Sequence, residues 1–477
     1  PQTNATAGQG VRTHRSDFVQ STYNIFGGTT KVNGTGIKVG VISDTNDFLE
    51  VAQAAGDLPM NVTTLPGQSG RPGPGEGTAM MEIVYEMAPG AQLYYATALG
   101  GTAQFAANIR ALRDAGCKVI VDDISYGNEA PFQDDVISRA VNEVCADGVL
   151  FFSSATNSGN KNDGTSSTWE GDFSPLGNIP GVGPTHDWGG SNHNKFTQAS
   201  AAGDNVYLFW ADPLGASNND YDLFVVNDAG TILRSSTNPQ TGSQDPIEFV
   251  STIAVGENVV VAKVSGADRF LHMEVGRGRI QYSTQGRTRG HNAAVAANAF
   301  SVAATDVANS APPLAFVGGV TNPVEPFSSD GPRRMFFTPS GTALTPGNFS
   351  STGGVVYNKP DITAADGVAN SGAYASNLSP FFGTSAAAPH AAAIAALLWS
   401  YNPALTPAQI RSALQDTALD IEAPGYDRDS GYGLVMADRA LKQVMFQSDT
   451  TPPTGTIGAP LAGTITVPTN LIFSGNA

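Results

Sequence analysis

Ser385 stands where a hydroxyl could act as a nucleophile. It follows Gly383 and Thr384 and opens a run of Ala, Ile and Leu, ending at Leu398, that is long and apolar enough for a buried helix. Unpaired backbone N–H groups and the positive end of the helix dipole gather at a helix N-terminus, where they would stabilise an oxyanion. Serine is also a common N-cap residue, so its position alone leaves a simple capping role open.

The string GTSAAAPH, from Gly383 to His390, resembles the nucleophile motif of subtilisin-like serine peptidases. The resemblance covers about residues 36–180 and 287–445, and it implies that Ser385 attacks the scissile bond of a peptide or protein substrate. It also implies that Asn157, at the end of the strand VLFFSSATN, helps to hold the oxyanion. The family's strand that pairs with extended peptide substrates would here supply Ser125, Tyr126 and Gly127.

Glu76 occupies the place of the catalytic histidine in this resemblance. The family has His-Gly-Thr at the start of its second active-site helix, whereas this chain reads Glu76-Gly77-Thr78, and none of its 6 histidines precedes Gly-Thr. A carboxylate with an intrinsic pKa of about 4 is an effective base only in acid solution or when its pKa is raised. Sedolisins, the acid-acting relatives on the same fold, use a Ser-Glu-Asp triad, and the resemblance implies that Glu76 is the general base here.

A second acid must orient such a glutamate, and the sequence offers two candidates. The sedolisin aspartate would lie one helical turn after Glu76, but Met80 stands there. Ser43 falls where the subtilisin-like aspartate belongs, and Asp44 follows it. Asp123 ends the buried run VIVDD, where an unpaired acid would be costly. We favour Asp123 as the partner, with Asp44 as a further member of the network. That both acids only cap loops or bind backbone stays open.

The order of predicted elements indicates an α/β fold with a doubly wound, mostly parallel sheet, because buried strands alternate with helices. Short alternating segments without helical pattern fill residues 183–286, which predicts an inserted β-sandwich or jelly-roll domain. The catalytic domain would then be discontinuous, comprising residues 1–182 and 287–447. Residues 448–477 read as a Pro/Thr/Gly-rich linker followed by the truncated start of another β domain.

Composition narrows the classes of partner. The chain has 477 residues, of which 14% are charged, with a net charge of -17. Such an acidic balance argues against nucleic acid or an anionic membrane as a partner. Low charge density with many Asn, Thr, Ser and Gly residues favours an exported protein, secreted or at the cell surface, and we expect a monomer. Because the chain begins with Pro1, we expect a signal and a pro-segment to have been removed. No apolar run is long enough for a membrane span.

No organic cofactor is expected, and the candidates for a metal site are acidic groups. The resemblance to sedolisins suggests a calcium site near the C-terminus, for which the candidate ligands are Asp420, Asp427 and Asp429. A second oxygen-rich group lies in the predicted insert, although ordinary turn-forming acids account for it better: Asp212, Asp220, Asp222 and Glu248.

The 2 cysteines, Cys117 and Cys145, precede two strands predicted to be parallel neighbours. A disulfide and two buried free thiols remain equally open for them.

Two other functions are compatible with the same motifs. Loss of the histidine could mean a catalytically inactive pseudopeptidase whose insert is a binding module. The fold could also support acyl transfer, in which a peptide amine replaces water.

Overall fold

The computed structural model describes residues 8–21, 32–200, 203–310, 315–370 and 378–448. Five strands come before residue 160: β1 (Lys38–Ser43), β2 (Thr63–Thr64), β3 (Gln92–Thr97), β4 (Val119–Asp122) and β5 (Leu150–Ser154). Eleven short strands follow: β6 (Thr168–Asp172), β7 (Pro175–Ile179), β8 (Gly183–His186), β9 (Asn194–Gln198), β10 (Val206–Trp210), β11 (Asp220–Val226), β12 (Ile232–Ser236), β13 (Ile247–Val250), β14 (Asn258–Ser265), β15 (Phe270–Val275) and β16 (Arg279–Ile280). The remaining strands are β17 (Ala299–Asp306), β18 (Arg333–Met335), β19 (Val355–Tyr357) and β20 (Ile362–Asp366).

The helices of the described residues lie outside the region of short strands. Six precede it: α1 (Gln9–Thr13), α2 (Ser16–Ser21), α3 (Leu49–Ala55), α4 (Glu76–Met87), α5 (Thr102–Asp114) and α6 (Val136–Ala146). Three follow it: α7 (Thr384–Tyr401), α8 (Pro407–Asp416) and α9 (Ala437–Ser448). Short 3-10 turns occur at Gly290–Ala293, Val307–Asn309 and Gly319–Thr321.

A seven-stranded parallel sheet in the order β2-β3-β1-β4-β5-β17-β20 forms the centre of the catalytic region. Its inner strands are buried along almost their whole length, as expected for apolar strands covered on both faces. The predicted doubly wound α/β fold is therefore confirmed. Helix α7 packs on one face of the sheet together with α4, and α5 and α6 pack on the other.

Helix α7 is enclosed by the sheet and by its neighbouring helices, which explains its nearly uniform apolar sequence. Every residue from Thr384 to Ser400 is buried. Apolar side chains on all sides suit a helix that no face exposes to water. The N-terminus of this rigid element carries Ser385.

The inserted region is a sandwich of two antiparallel sheets. One has the order β13-β10-β15-β6, and the other contains β12-β11-β14-β8-β7, with β9 and β16 at its side. Their inner faces share an apolar core that includes Trp210, Leu223 and Leu271. The predicted inserted β domain is confirmed, but its strands begin at Thr168 rather than near residue 183. The sequences TWEGD and PLGNI of β6 and β7 are too polar and turn-rich to show as strands.

The insert packs against the catalytic region through an aromatic cluster. Phe209 and Phe270 of the insert contact Phe132, which follows β4, and Phe336 beyond β17. The ring centroids of Phe132 and Phe270 are 5.7 Å apart in an edge-on arrangement. Edge-to-face aromatic pairs add to the stability gained by apolar burial. This contact fixes the insert beside the segment that follows β4.

The structure also bears on the predictions for the cysteines, for membrane-spanning helices and for the C-terminal residues. Cys117 and Cys145 are both buried free thiols, so the structure contains no bond between them. Burial raises the pKa of each thiol to about 12. Among the described helices, none combines the length and hydropathy needed to cross a membrane. The predicted linker and C-terminal β domain fall on residues 449–477, outside the described part of the chain.

Candidate active site

Three side chains that the sequence singled out meet beside the carboxyl ends of the parallel strands. Asp123 directly follows β4, Glu76 is the first residue of α4, and Ser385 is the second residue of α7. The edge formed by the strand ends is where open α/β sheets bind their ligands. The Glu76 carboxyl is within hydrogen-bonding reach of both the Ser385 hydroxyl and the Asp123 carboxyl. Glu76 therefore lies between the other two groups.

Protonation of this cluster is set mainly by burial. Burial raises the pKa of Glu76, and the negative charge of Asp44 raises it further. Burial also raises the pKa of Asp123 well above its ordinary value, and the neighbouring charge of Glu76 adds to the shift. The hydrogen bond between the two carboxyls lowers the pKa of Glu76 and raises that of Asp123. Asp123 is thus the donor, and the pair titrates as a unit.

The surroundings of the Asp123 carboxyl favour its protonated form. No N–H or hydroxyl group of the described residues makes a well-aligned hydrogen bond to either of its carboxyl oxygens. An ionised carboxylate that is buried without such donors is costly. The nearby Ser43 hydroxyl is the group that favours the ionised form of Asp123. A neutral Asp123 that donates to Glu76 would avoid the cost of a buried, unpaired charge.

Strand pairing explains why Asp123 and Ser43 are neighbours. Strands β1 and β4 are parallel, with Ile42 opposite Asp122, so Ser43 and Asp123 come next on their respective strands. The aspartate that the family resemblance places at position 43 is a serine here. A carboxyl group reaches the same region from the adjacent strand end instead.

Asp44 has a different place in the cluster. Its carboxylate accepts hydrogen bonds from the backbone N–H groups of Thr45, Glu76 and Gly77, the last at 3.4 Å. It therefore caps the first turn of α4 and fixes the backbone of Glu76. Of the alternatives that the sequence left open, backbone capping describes Asp44, whereas Asp123 contacts the glutamate side chain.

No histidine replaces Glu76 in contact with the serine. Within the described ranges, no imidazole ring is hydrogen-bonded to Ser385 or Glu76, and each histidine has partners elsewhere. The histidines and their partners are His14 with Val435, His186 with Ser174, His193 with Asn192, His272 with Glu170, His291 with Asp122, and His390 with Ala386.

Asn157 lies at the N-terminus of α7, close to Ser385. Its Oδ1 accepts hydrogen bonds from the backbone N (3.0 Å) and Oγ1 (2.8 Å) of Thr384, which fixes the orientation of the amide. A Cβ atom on Gly383 would lie 3.1 Å from Asn157 Nδ2 and 3.7 Å from the backbone N of Ser385. Two N–H donors therefore border the space beside this glycine. That arrangement suits an oxygen atom that becomes negatively charged.

The backbone before Asn157 is strained. Thr156 has φ of +76°, in the left-handed region that a β-branched residue rarely adopts. Such a conformation costs about 1–3 kcal/mol and often occurs at functional sites. The hydroxyl of Thr156 lies 2.8 Å from that of Ser329, and the Ser329 N–H donates to the Thr156 carbonyl at 3.0 Å. These contacts hold the turn that carries Asn157 toward α7.

The segment predicted to pair with substrate is occupied by arginines. Arg287 donates from Nη1 to Ser125 Oγ (2.6 Å) and from Nη2 to the Tyr126 carbonyl (3.0 Å). Arg289 Nη2 donates to the Gly127 carbonyl (2.7 Å). The chain also turns here, since the Glu129 N–H donates to the Tyr126 carbonyl at 3.3 Å. These bonds come from arginines that directly follow the insert and engage the Ser125 hydroxyl and two carbonyls of the segment. Substrate binding by the segment stays a prediction.

Beneath this segment lies a buried charge cluster that the sequence analysis missed. His291 Nε2 is 2.9 Å from Asp122 Oδ2, and its Nδ1 is 2.6 Å from Glu129 Oε2. Burial alone would lower the pKa of His291, but the charges of Glu129 and Asp122 raise it to about 10. His291 is thus a cation between two acids. The acid pair Asp122-Asp123 was a signal of buried charge, but nothing in sequence linked it to position 291.

The predicted calcium ligands near the C-terminus contact protein groups. Asp420 accepts from the Gly425 N–H at 3.1 Å, and Asp429 accepts from the Asn162 amide at 2.6 Å. Asp427 lies 3.4 Å from the Ser430 hydroxyl. Across the described residues, no group of three or more His, Cys, Asp or Glu side chains is arranged to hold a metal ion. The calcium site stays an untested prediction.

In the insert, the acids have partners that suit a structural role. Asp212 pairs with Arg269 at 2.7 Å and accepts from the Asn219 amide at 2.7 Å. Glu248 accepts from the amides of Asn238 (3.1 Å) and Gln240 (3.0 Å). These contacts agree with the interpretation of turn-stabilising acids.

Comparison with known sequences then decides the family. The sequence profile of the subtilase family, Peptidase S8, matches residues 69–433. The chain belongs to the subtilase family. Fervidolysin of Fervidobacterium pennivorans is 41% identical over 86 residues, which is 16% of this subtilase chain and 12% of fervidolysin. The CspB protease of Clostridium perfringens has a TM-score of 0.56 at 14% identity, over 91% of this chain and 99% of that one. The second likeness shows a shared fold.

Proposed function

We propose that this subtilase is a serine endopeptidase in which Glu76 is the general base for Ser385. The single observation that carries the proposal is the position of the Glu76 carboxyl, in hydrogen-bonding reach of both the Ser385 hydroxyl and the Asp123 carboxyl. A serine hydroxyl is a weak nucleophile until a neighbouring base takes its proton. In the described residues the nearest group of that kind is a carboxylate, which makes the proposed triad a serine-carboxyl one.

Each half of the proposed reaction moves one proton through Glu76. Glu76 takes the hydroxyl proton while Ser385 Oγ forms a bond to the scissile carbonyl carbon, whose oxygen becomes negatively charged. Asn157 Nδ2 and the Ser385 N–H would hold this oxygen. Glu76 then gives the proton to the leaving amine, the C–N bond breaks and an acyl-enzyme remains. Water repeats the sequence: it loses a proton to Glu76, attacks the ester, and Ser385 recovers the proton.

Asp123 keeps Glu76 in the right state for both steps. Before the attack, the protonated Asp123 carboxyl donates a hydrogen bond to the Glu76 carboxylate. Once Glu76 has taken the serine proton, the pair holds two protons. Asp44 would support this arrangement by capping α4 and by its charge, which makes Glu76 more basic. The proposed chemistry draws only on groups of the protein. An acidic, sparsely charged composition supports an exported, acid-active enzyme.

The pH dependence of peptide cleavage tests the proposal. The competent state carries one proton on the Glu76–Asp123 pair, so kcat/KM should rise as the doubly protonated pair loses its first proton. It should fall again at higher pH as the second proton leaves. Because burial raises both pKa values, the maximum should lie above the pKa of about 4 of an isolated carboxyl. The measurement is a profile on internally quenched casein peptides, with Ser385→Ala as the inactive control.

Two other outcomes would redirect the assignment. A single ascending limb with a pKa of about 6.5 would indicate an imidazole base and refute the role of Glu76. A folded chain without cleavage at any pH would favour a peptide-binding pseudopeptidase. Transfer of the acyl group to an added amine, in preference to water, would indicate a ligase.

Loss of the Asn157 amide should slow the chemical step. We expect Asn157→Ala to lower kcat by about 100- to 1,000-fold with little change in KM, as for removal of one oxyanion donor. Asn162→Ala is the matched control, since that amide bonds Asp429 instead. Steady-state kinetics at the pH maximum give both parameters. An unchanged kcat would mean that Asn157 does not hold the oxyanion.

A further inference from the structure

Two arginines that follow the insert connect it to the Ser125–Gly127 segment. At their other ends, both guanidinium groups bind Glu274 on β15: Arg287 Nε at 3.0 Å and Arg289 Nη2 at 2.6 Å. Glu274 also lies 3.2 Å from His272 Nε2, whose Nδ1 is 2.6 Å from Glu170 on β6. A continuous chain of charged hydrogen bonds thus runs from strands β6 and β15 to the segment after Asp123.

This chain is buried, and every charged group in it contacts a group of opposite charge. Burial alone would raise the pKa of Glu274, but the charges of Arg287 and Arg289 hold it well below its ordinary value. Hydrogen bonds to Glu170 and Glu274 raise the pKa of His272 against the effect of burial. Charge-assisted bonds of this kind are short and directional, and breaking a buried set is expensive. The connection is therefore a rigid one.

Aromatic side chains also pack at the contact between the insert and the Ser125–Gly127 segment. A Cβ atom on Gly127 would fall 2.1 Å from the hydroxyl oxygen of Tyr207, so the β10 tyrosine lies directly against this glycine. The guanidinium of Arg289 lies 5.0 Å from the centre of the Phe209 ring. Such cation–π contacts fix the plane of the guanidinium. The backbone of Gly127 is held by the insert from two directions.

We propose that Arg287 and Arg289 are positioning residues for the peptide site, through which the insert sets how substrate lies against Ser385. This inference rests on the proposed peptidase function. A planar guanidinium presents several donors at fixed spacing, so Arg287 can hold the Ser125 hydroxyl and the Tyr126 carbonyl together. A shift of about 1 Å in a substrate-positioning group can cost about 100-fold in rate. The insert therefore acts on peptide binding, while the reactivity of Ser385 depends on Glu76.

The test compares peptide cleavage with direct labelling of the serine. Arg287→Ala is the main variant, because its side chain is 11% exposed whereas that of Arg289 is 1% exposed. We expect kcat/KM for a quenched casein peptide to fall about 10- to 100-fold, mainly through KM. The rate at which a small fluorophosphonate labels Ser385 should stay within about twofold, because that probe needs no peptide site. Arg287→Lys should restore part of the affinity.

Controls separate a local effect from a general loss of structure. Arg234→Ala removes an insert arginine that pairs with Glu257 and should leave both readouts unchanged. If Arg287→Ala does not fold, Ser125→Ala removes the acceptor of the same 2.6 Å bond while keeping all charges, and it should raise KM. Parallel loss of labelling and cleavage would overturn the inference, as would an unchanged KM in both variants.

A binding measurement distinguishes failure of this inference from failure of the proposed function. In a Ser385→Ala background, a fluorescein-labelled casein peptide should bind more weakly when Arg287 is also replaced. Equal affinity, or no binding to either protein, refutes the positioning role alone. Failure of the fluorophosphonate to label the unmodified chain refutes the proposed catalytic serine, whatever the binding result.

Discussion

Replacing Glu76 by Gln should lower kcat/KM by about 100- to 10,000-fold at every pH at which the unmodified chain is active, which is the range typical of a lost general base. Glutamine has nearly the same volume and still offers an oxygen to the Ser385 hydroxyl, but it cannot take the proton. The loss should therefore come without unfolding. Kinetics on the quenched casein peptides, combined with a thermal melt, would show this separation.

A matched control for Glu76→Gln is Glu50→Gln. Glu50 is an exposed acid that pairs with Arg71 at 2.9 Å, and its replacement should leave the kinetics unchanged. If Glu76→Gln keeps most of the activity while the control behaves as expected, the base lies elsewhere and the serine-carboxyl assignment is wrong. Retained activity whose pH profile keeps its acid limb but has lost its alkaline limb would point to Asp123 as the base.

Replacing Glu129 by Gln should destabilise the protein by about 3–5 kcal/mol, the usual cost of removing one partner of a buried ion pair. Glu129 accepts hydrogen bonds from His291 Nδ1 at 2.6 Å and from the backbone N–H groups of His291 (2.9 Å) and Tyr126 (2.8 Å). Without its charge, the buried His291 cation keeps only Asp122. Urea unfolding gives the free energy of unfolding. Glu143→Gln, at an exposed pair with Arg110, should cost less than about 1 kcal/mol.

The pH dependence of stability follows from the same cluster. The pKa of His291 is raised from 6.5 to about 10, so its contribution is complete below about pH 6.5 and declines as the pH rises toward 10. Burial opposes ionisation of Glu129, but the His291 charge lowers its pKa from 4.5 to about 2. That contribution is complete above pH 4.5 and is lost as the pH falls toward 2. Glu129→Gln should flatten both limbs, and unchanged limbs would contradict the assignment.

The parallel sheet and the buried helix α7 could be predicted from sequence because their elements correspond to continuous apolar runs. Strand β1 and helix α7 have no alternating polar face, as expected for elements covered on all sides. The start of the insert could not be placed, since β6 and β7 are stabilised by cross-strand pairing more than by their own composition.

The candidate site was predictable to a comparable degree. The motif around Ser385 and the Gly-Thr after Glu76 identified these two residues, and the cost of a buried acid singled out Asp123. Sequence could not separate Asp123 from Asp44, because the direction of a side chain just beyond a strand end depends on the turn that follows. Arg287 lies 162 residues from Ser125, and only the packing of the insert brings them together.

The carboxyl group of Asp123, at the end of β4 and beside Ser43 on β1, has a consequence for how such chains are classified. An alignment compares columns, and in the column of the first family aspartate this chain shows a hydroxyl. A survey that requires the acid in that column would miss the acid side chain that lies beside Ser43 at the end of the next strand. Because parallel strands end side by side, a carboxyl group in one region of the fold can come from either of two positions in the sequence. Peptidases with altered active-site residues are therefore better classified by comparing structures than by comparing alignment columns.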